Sequence, residues 1–219
     1  MPIFEKLDRS YDIVFCMDAT GSLQVQFFAD FIHEFSYTFY SHLASIFEDS
    51  FYLRVKIIAF KDYKYDKDPM VESPFFVLSD DKSDQSNELF NFIDQIELRG
   101  GGDLPENSLE ALALAIKSDW SKECAIKRYI TVLFTDAPAK PLGQSYDNLD
   151  YPKDMPSSLE ELHQLWNDFD KRSKRLFLIA PDENPWNQMV DWDKVLYVEN
   201  ESFFNDFSVE GFVEMLTKF

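Results

Sequence analysis

Three short polar clusters hold most of the residues in this sequence that could do chemistry. They are Asp18-Ala19-Thr20-Gly21-Ser22, Gly100-Gly101-Gly102-Asp103 and Thr135-Asp136-Ala137-Pro138. Their side-chain donors are carboxylates and hydroxyls, the hard oxygen ligands of Mg²⁺, an ion that keeps several waters and takes one or two carboxylates directly. Asp18, Thr20, Ser22 and Asp136 form the candidate metal set, with Mg²⁺ as the expected ion and Mn²⁺ as the alternative. Metals that favour imidazole are disfavoured, because His33, His42 and His163 all lie outside these clusters. None of the clusters sets a nucleophile beside a general base.

To act together the clusters must be carried to one place, and the sequence pattern supplies a scaffold that does so. Short apolar, β-branched runs alternate with longer segments of helical spacing. Strands are expected at residues 11–17, 51–60, 75–78, 128–134, 175–180 and 194–198. Helices are expected at 87–96, 108–116, 157–169 and 209–218, together with a long one after Ser22. That long helix carries Phe27, Phe31, Phe35, Phe39, Leu43 and Phe47 at every fourth position, a stripe widened by Phe28, Ile32 and Ile46. Ser157 or Ser158, with Glu160 or Glu161, forms a capping box for the helix at 157–169. The alternation implies an α/β, doubly wound, mostly parallel sheet with helices on both faces, formed by one domain over residues 1–219. In such sheets ligands gather at the carboxyl ends of the strands, where the Asp18 and Asp136 clusters fall.

Loops reading DATGSL, GGGDLPE and TDAPAK resemble those of a von Willebrand factor A (vWA) domain and its metal-ion-dependent adhesion site (MIDAS). That site has the pattern Asp-x-Ser-x-Ser with a distant Thr and a distant Asp. On this resemblance Asp18, Thr20 and Ser22 supply the first loop, with Thr20 a conservative departure, and Asp136 supplies the distant Asp. The likeness runs along essentially the whole chain. It is nearest to intracellular members whose loops read DATGSM, GGGDxPE and DAPxH. It implies a Rossmann-like fold and a non-enzymatic Mg²⁺-binding module that docks a protein partner through the MIDAS loops. Partners of the kind implied are kinase, phosphatase or stress-response assemblies.

Two positions depart from the pattern. Asp103 stands where the wider family has Thr, and Ala139-Lys140 follows DAP where near relatives have His. A direct Asp103 ligand would put three carboxylates around one dication and weaken its pull on an acidic partner side chain. Asp103 also reads as a helix N-cap, with Pro105 in the first turn and Glu106 at the capping-box position. Both readings stand. Thr20 or Ser22 could likewise cap the helix that follows them. Asp62, after the second strand, is expected in a solvated loop, and the three histidines at the surface or core edge. Two other functions remain open. One is an Mg²⁺-dependent phosphoryl-transfer hydrolase with Asp18 as nucleophile, although Thr20 stands where aspartyl phosphatases carry a second Asp. The other is a metal-independent scaffold with a vestigial site.

Composition narrows the partners further. Against 21 Lys and Arg stand 40 Asp and Glu, and the resulting formal charge of −19 argues against nucleic acid and anionic membrane. A hydrophobic fraction of 45% is enough for a sizeable core. Cys16 and Cys124 are too few for a disulfide framework. With an acidic N-terminal stretch in place of a secretory signal, the expectation is a cytoplasmic protein.

Overall fold

The computed structural model describes residues 9–21, 25–48 (backbone only for 25–27), 50–79, 84–97, 99–102, 104–144, 148–201 and 208–218. The strands are β1 (Arg9–Asp18), β2 (Phe51–Phe60), β3 (Met70–Glu72), β4 (Phe76–Leu78), β5 (Ile126–Phe134), β6 (Lys174–Ala180) and β7 (Val195–Glu199). The helices are α1 (Val25–Phe47), α2 (Ser86–Asp94), α3 (Ser108–Ile116), α4 (Leu159–Asp168), α5 (Trp186–Met189) and α6 (Val209–Lys218).

The strands form one sheet in the order β3-β2-β1-β5-β6-β7, with β4 also paired to β2. Pairings β1–β2, β1–β5, β5–β6 and β6–β7 are parallel, whereas β3 and β4 run antiparallel to β2. β1 is central and buried along nearly its whole length, as a parallel strand covered on both faces must be. Its side chains alternate between two cores. Tyr11, Ile13, Phe15 and Met17 face a layer that includes Phe31, Phe35, Phe39 and Phe212 of α1 and α6. Val14 and Cys16 face Leu109 and Leu112 of α3 with Leu162 and Trp166 of α4. The Cys16 thiol donates to the Ala111 carbonyl at 3.6 Å.

Much of the phenylalanine content is accounted for by the first core. The ring of Phe15 meets those of Phe28, Phe31 and Phe35 edge to face at 5.2–6.3 Å, and Phe134 stacks on it at 6.5 Å. Edge-to-face geometry sets the positive rim of one ring against the negative face of the next. Phe15 lies near the end of β1 and Phe134 at the end of β5, so this cluster fixes the two strand ends that lead into the polar loops.

The α/β architecture matches the sequence expectation, and the helix at 108–116 matches to the residue. The capping box of α4 also forms. The Ser158 side chain accepts from the Glu161 N–H at 3.2 Å, and Glu161 Oε2 accepts from the Ser157 N–H at 2.7 Å. Three readings need correction. The short strand β3 and the single-turn helix α5 lie where no element was expected, since three or four residues carry too little periodicity to read. Ile46 is 52% exposed and does not extend the buried stripe of α1. The Phe27 side chain lies outside the described residues.

Candidate metal centre

The three polar loops meet. Thr20 and Gly21 after β1, Gly100, Gly101, Gly102, Leu104 and Glu106 before α3, and Asp136 and Ala137 after β5 line one cavity of about 410 Å³. Strand register explains the meeting. Met17 lies beside Phe134 and Asp18 beside Phe60, so the loops after β1, β2 and β5 leave the sheet at one edge.

Asp18 is 1% exposed and is held by hydroxyls. Its Oδ1 accepts from the Thr20 N–H at 3.0 Å and the Thr20 hydroxyl at 2.6 Å, and its Oδ2 accepts from the Thr135 hydroxyl at 2.9 Å. Burial pushes this carboxyl up to about 6, the donated hydrogen bonds hold it back, and the Asp136 charge pushes it further up. Thr135 was quoted in its motif but not singled out. It acts as the second hydroxyl on Asp18, reaching it from a position 117 residues away along the chain.

Glu106 is the other residue that sequence reasoning missed. It was read only as a capping-box partner, yet α3 begins at Ser108 with Asn107 as its N-cap, so Pro105 and Glu106 precede the helix. The backbone explains this. The Glu106 N–H donates to Pro138 O at 3.0 Å, its carbonyl accepts from the Lys140 N–H at 2.8 Å, and the Asn107 N–H donates to Lys61 O at 3.2 Å. Groups that would otherwise enter the helix are used to stitch three loops together. The Glu106 side chain is 3% exposed, and its Oε2 is buried with no hydrogen-bond partner among the described residues. Burial, followed by the charges of Asp18 and Asp62, pushes this carboxyl up to about 8 against the pull of Lys140.

Asp62 does not sit in a solvated loop. It is fully buried and ion-paired to Lys140, and its Oδ1 accepts from the Lys64 N–H at 2.7 Å. The pairing spans 78 residues and carries no local signature. It gives Lys140 a structural task at the position where the resemblance led us to expect His.

The glycine run is clasped from both sides. The Gly101 N–H donates to Asp66 Oδ2 at 3.0 Å. A Cβ on Gly100, whose φ is +121°, would overlap the Asp66 carboxylate, and one on Gly102 would overlap the Tyr65 ring. A Cβ on Gly101 would lie 3.0 Å from Glu106 Oε1 and 3.2 Å from Thr20 Cγ2, so Thr20 and Glu106 flank the same bare stretch of backbone.

Of the five residues expected to bind metal, Asp18, Thr20 and Asp136 are brought together, while Ser22 and Asp103 lie outside the described residues. Among the described residues no group of three His, Cys, Asp or Glu side chains forms a ready-made metal cage. The donors present still suit a hard dication, because Glu106 Oε2 is a buried oxygen with no partner among the described residues and Asp18 lies beside two hydroxyls. The histidines stay apart from the cavity, with His33 stacked on Phe90 and His163 on Trp192.

Residues 67–150, which include the glycine-rich loop and the loop after β5, match the family model of a von Willebrand factor A domain. The fold is of the von Willebrand factor A type. Proximal thread matrix protein 1 from the mussel byssus, solved with a zinc-occupied MIDAS motif, has a TM-score of 0.54 to this chain at 13% identity. That match covers 96% of this chain and 48% of the mussel protein. The pilus adhesin SpaC from Lactobacillus rhamnosus GG, in its open conformation, has a TM-score of 0.56 at 11% identity, over 96% of this chain and 30% of the adhesin. At these identities the likeness is one of fold, and this chain spans half or less of either protein. No curated protein matches the sequence. Among the described residues, no helix is long and apolar enough to cross a membrane. In this vWA fold the cavity lies at the carboxyl edge of the central strands, the usual ligand position for an open α/β sheet.

Proposed function

We propose that this chain is a non-enzymatic, divalent-metal-binding interaction module of the vWA type, which docks a protein partner through the loops around the cavity. The observation that carries this reading is the convergence of Thr20, Glu106 and Asp136 on one cavity, with Asp18 hydrogen-bonded to Thr20, and among the described residues neither Asp18 nor Glu106 has a cationic side chain bound to it. Asp18, Thr20 and Asp136 would hold the ion, with Ser22 and Asp103 as further donors. When bound, the ion would neutralise the buried charge and present open coordination positions to a partner. The mussel protein with its zinc-occupied MIDAS motif lends support by likeness of fold. Mg²⁺ is the preferred ion, since carboxylates and hydroxyls are its ligands. A cytoplasmic location and a partner in a kinase, phosphatase or stress-response assembly belong to the same proposal and rest on the loop resemblance.

The test is a thermal melt of wild type and Asp18→Asn in chelator, Mg²⁺ and Mn²⁺. An ion at about 100 times its dissociation constant stabilises by about 2.7 kcal/mol, which for a chain of this size raises the midpoint by roughly 5–10 °C. That rise is expected in wild type and not in the variant. If no ion raises the wild-type midpoint, the metal reading fails.

A further inference from the structure

Glu110, in the first turn of α3, is fully buried, and its carboxyl meets side chains from two different loops. Its Oε1 accepts from the hydroxyl of Tyr151, in the loop after β5, at 2.9 Å, whereas its Oε2 is buried with no hydrogen-bond partner among the described residues. Tyr63, in the loop after β2, is 2% exposed, and its hydroxyl is likewise without a partner there. After burial itself, the charge of Glu110 is the strongest influence on that hydroxyl. The rings of Tyr63 and Tyr151 meet at 5.1 Å, so the two orphaned oxygens belong to one cluster. A single proton on Glu110 Oε2 answers both needs. It removes a charge whose burial is uncompensated, and it supplies a donor for the Tyr63 oxygen.

The groups that face Glu110 are Tyr151 and Lys140 from the loop after β5, Tyr63 from the loop after β2, and Asn107, the N-cap of its own helix. Lys140, the cation of this set, is ion-paired to Asp62. Burial raises the Glu110 carboxyl above the usual carboxylate range, while the bonds from Tyr151 and Asn107 and the Lys140 charge hold it back. β1, β2, β5 and α4 meet α3 with side chains of the second apolar core, among them the Cys16 thiol, which burial keeps protonated. Independently of any metal, we propose that Glu110 is a neutral carboxylic acid at pH 7 and acts as a pH-sensitive latch. Protonated, it joins the loops after β2 and β5 to α3 through Tyr63 and Tyr151. At higher pH its proton leaves to solvent, and the segment around Tyr151 moves off the helix so that water reaches the new charge. That segment is the side able to yield, because Leu149, Asp150, Lys153 and Asp154 are exposed, whereas the Tyr63 N–H is fixed to Asn107 Oδ1 at 3.0 Å.

The experiment joins infrared spectroscopy to limited proteolysis, both in chelator, on wild type, Glu110→Gln and Tyr151→Phe. The difference spectrum of wild type and Glu110→Gln at pH 7 is expected to show the C=O band of a protonated carboxyl. Trypsin reads the latch at Lys153, which is exposed on the segment in question. Cleavage there, corrected for the enzyme's own pH dependence on a short peptide of the same sequence, is expected to rise about tenfold in wild type between pH 7 and pH 9. Glu110→Gln, a neutral mimic that retains Asp18 and Glu106, should lose that rise, and Tyr151→Phe should be cut faster than wild type already at pH 7. A carboxylate band in place of the protonated one overturns the proposal. So does a rise in Glu110→Gln equal to that of wild type, since other groups then cause it. Should Glu110→Gln not fold, Tyr151→Phe carries the test, and cleavage of it at the wild-type rate at both pH values overturns the latch.

Discussion

Strand β1 carries two buried carboxylates six residues apart, and they are treated in opposite ways. Asp12, nearer the amino end, is 0% exposed and fully matched. Arg54 donates to it at 3.0 and 2.6 Å, and the Ser121 N–H donates at 2.6 Å. Asp18, at the carboxyl end, is 1% exposed and, among the described residues, accepts from the Thr20 and Thr135 hydroxyls and the Thr20 N–H, with no cation paired to it. Asp62 resembles Asp12, with Lys140 as its counter-ion, and Glu106 resembles Asp18. Asp12 and Asp62 are each paired with a cation that the chain supplies. Among the described residues Asp18 and Glu106 are not, and neither is the fully buried Glu110 of α3, which accepts from the Tyr151 hydroxyl at 2.9 Å, so a missing cation marks the site only together with the convergence of the loops.

The contrast is broken most severely from the matched side. Arg54→Met leaves Asp12 buried without its cation and is expected to cost about 3–5 kcal/mol, the same in chelator and in Mg²⁺. Denaturant unfolding under both conditions checks this. Lys140→Met should act similarly through Asp62, because it removes the side-chain cation while keeping the backbone bond from the Lys140 N–H to the Glu106 carbonyl. On the unmatched side the expected sign reverses. In chelator at about pH 8.5, where both groups are largely ionised, Asp18→Asn and Glu106→Gln should melt no lower than wild type, since each removes a charge that burial disfavours.

The pH dependence follows from the same groups. Asp18 and Glu106 are raised to about 6 and about 8, so between roughly pH 5 and pH 8 the folded protein binds more protons than the unfolded chain. Metal-free stability should therefore fall as pH rises through that window. The Mg²⁺ increment should grow over the same range, because the ion replaces those protons. Melts at pH 5.5, 7 and 8.5 with and without Mg²⁺ would show it, and Glu106→Gln should flatten the metal-free trend. The smallest effect is expected from Thr135→Val, which removes one hydroxyl from Asp18. About 1.5–3 kcal/mol is the usual value of a hydrogen bond to a charged group. Here the loss should be at the low end, because burial already favours the protonated carboxyl.

How much of this was legible in the sequence depended on range. The sheet and main helices follow from local periodicity, and the loops holding Asp18, Thr20 and Asp136 follow from their place at strand ends. Glu106 was hidden because Asp103-Leu104-Pro105-Glu106 satisfies the pattern of a helix start. Only the bonds from Glu106 and Asn107 to Pro138 and Lys61 show that the helix begins later. Asp62 was misread for a related reason, since its counter-ion lies in another loop far along the chain. Local propensity carries no information about such pairings.

The parallel pairing of β1 with β5 sets a timetable as well as a geometry, since Arg9 is in register with Ile126. Strands so distant close a large loop before they gain any contact, and contacts of that kind form late in folding. On a ribosome adding about 5–20 residues per second, the interval between the emergence of Asp18 and of Asp136 is roughly 6–24 s. The nascent chain therefore spends that time with half a site. An ion that binds only the finished structure should act chiefly by slowing unfolding, and so by lengthening the lifetime of the native chain.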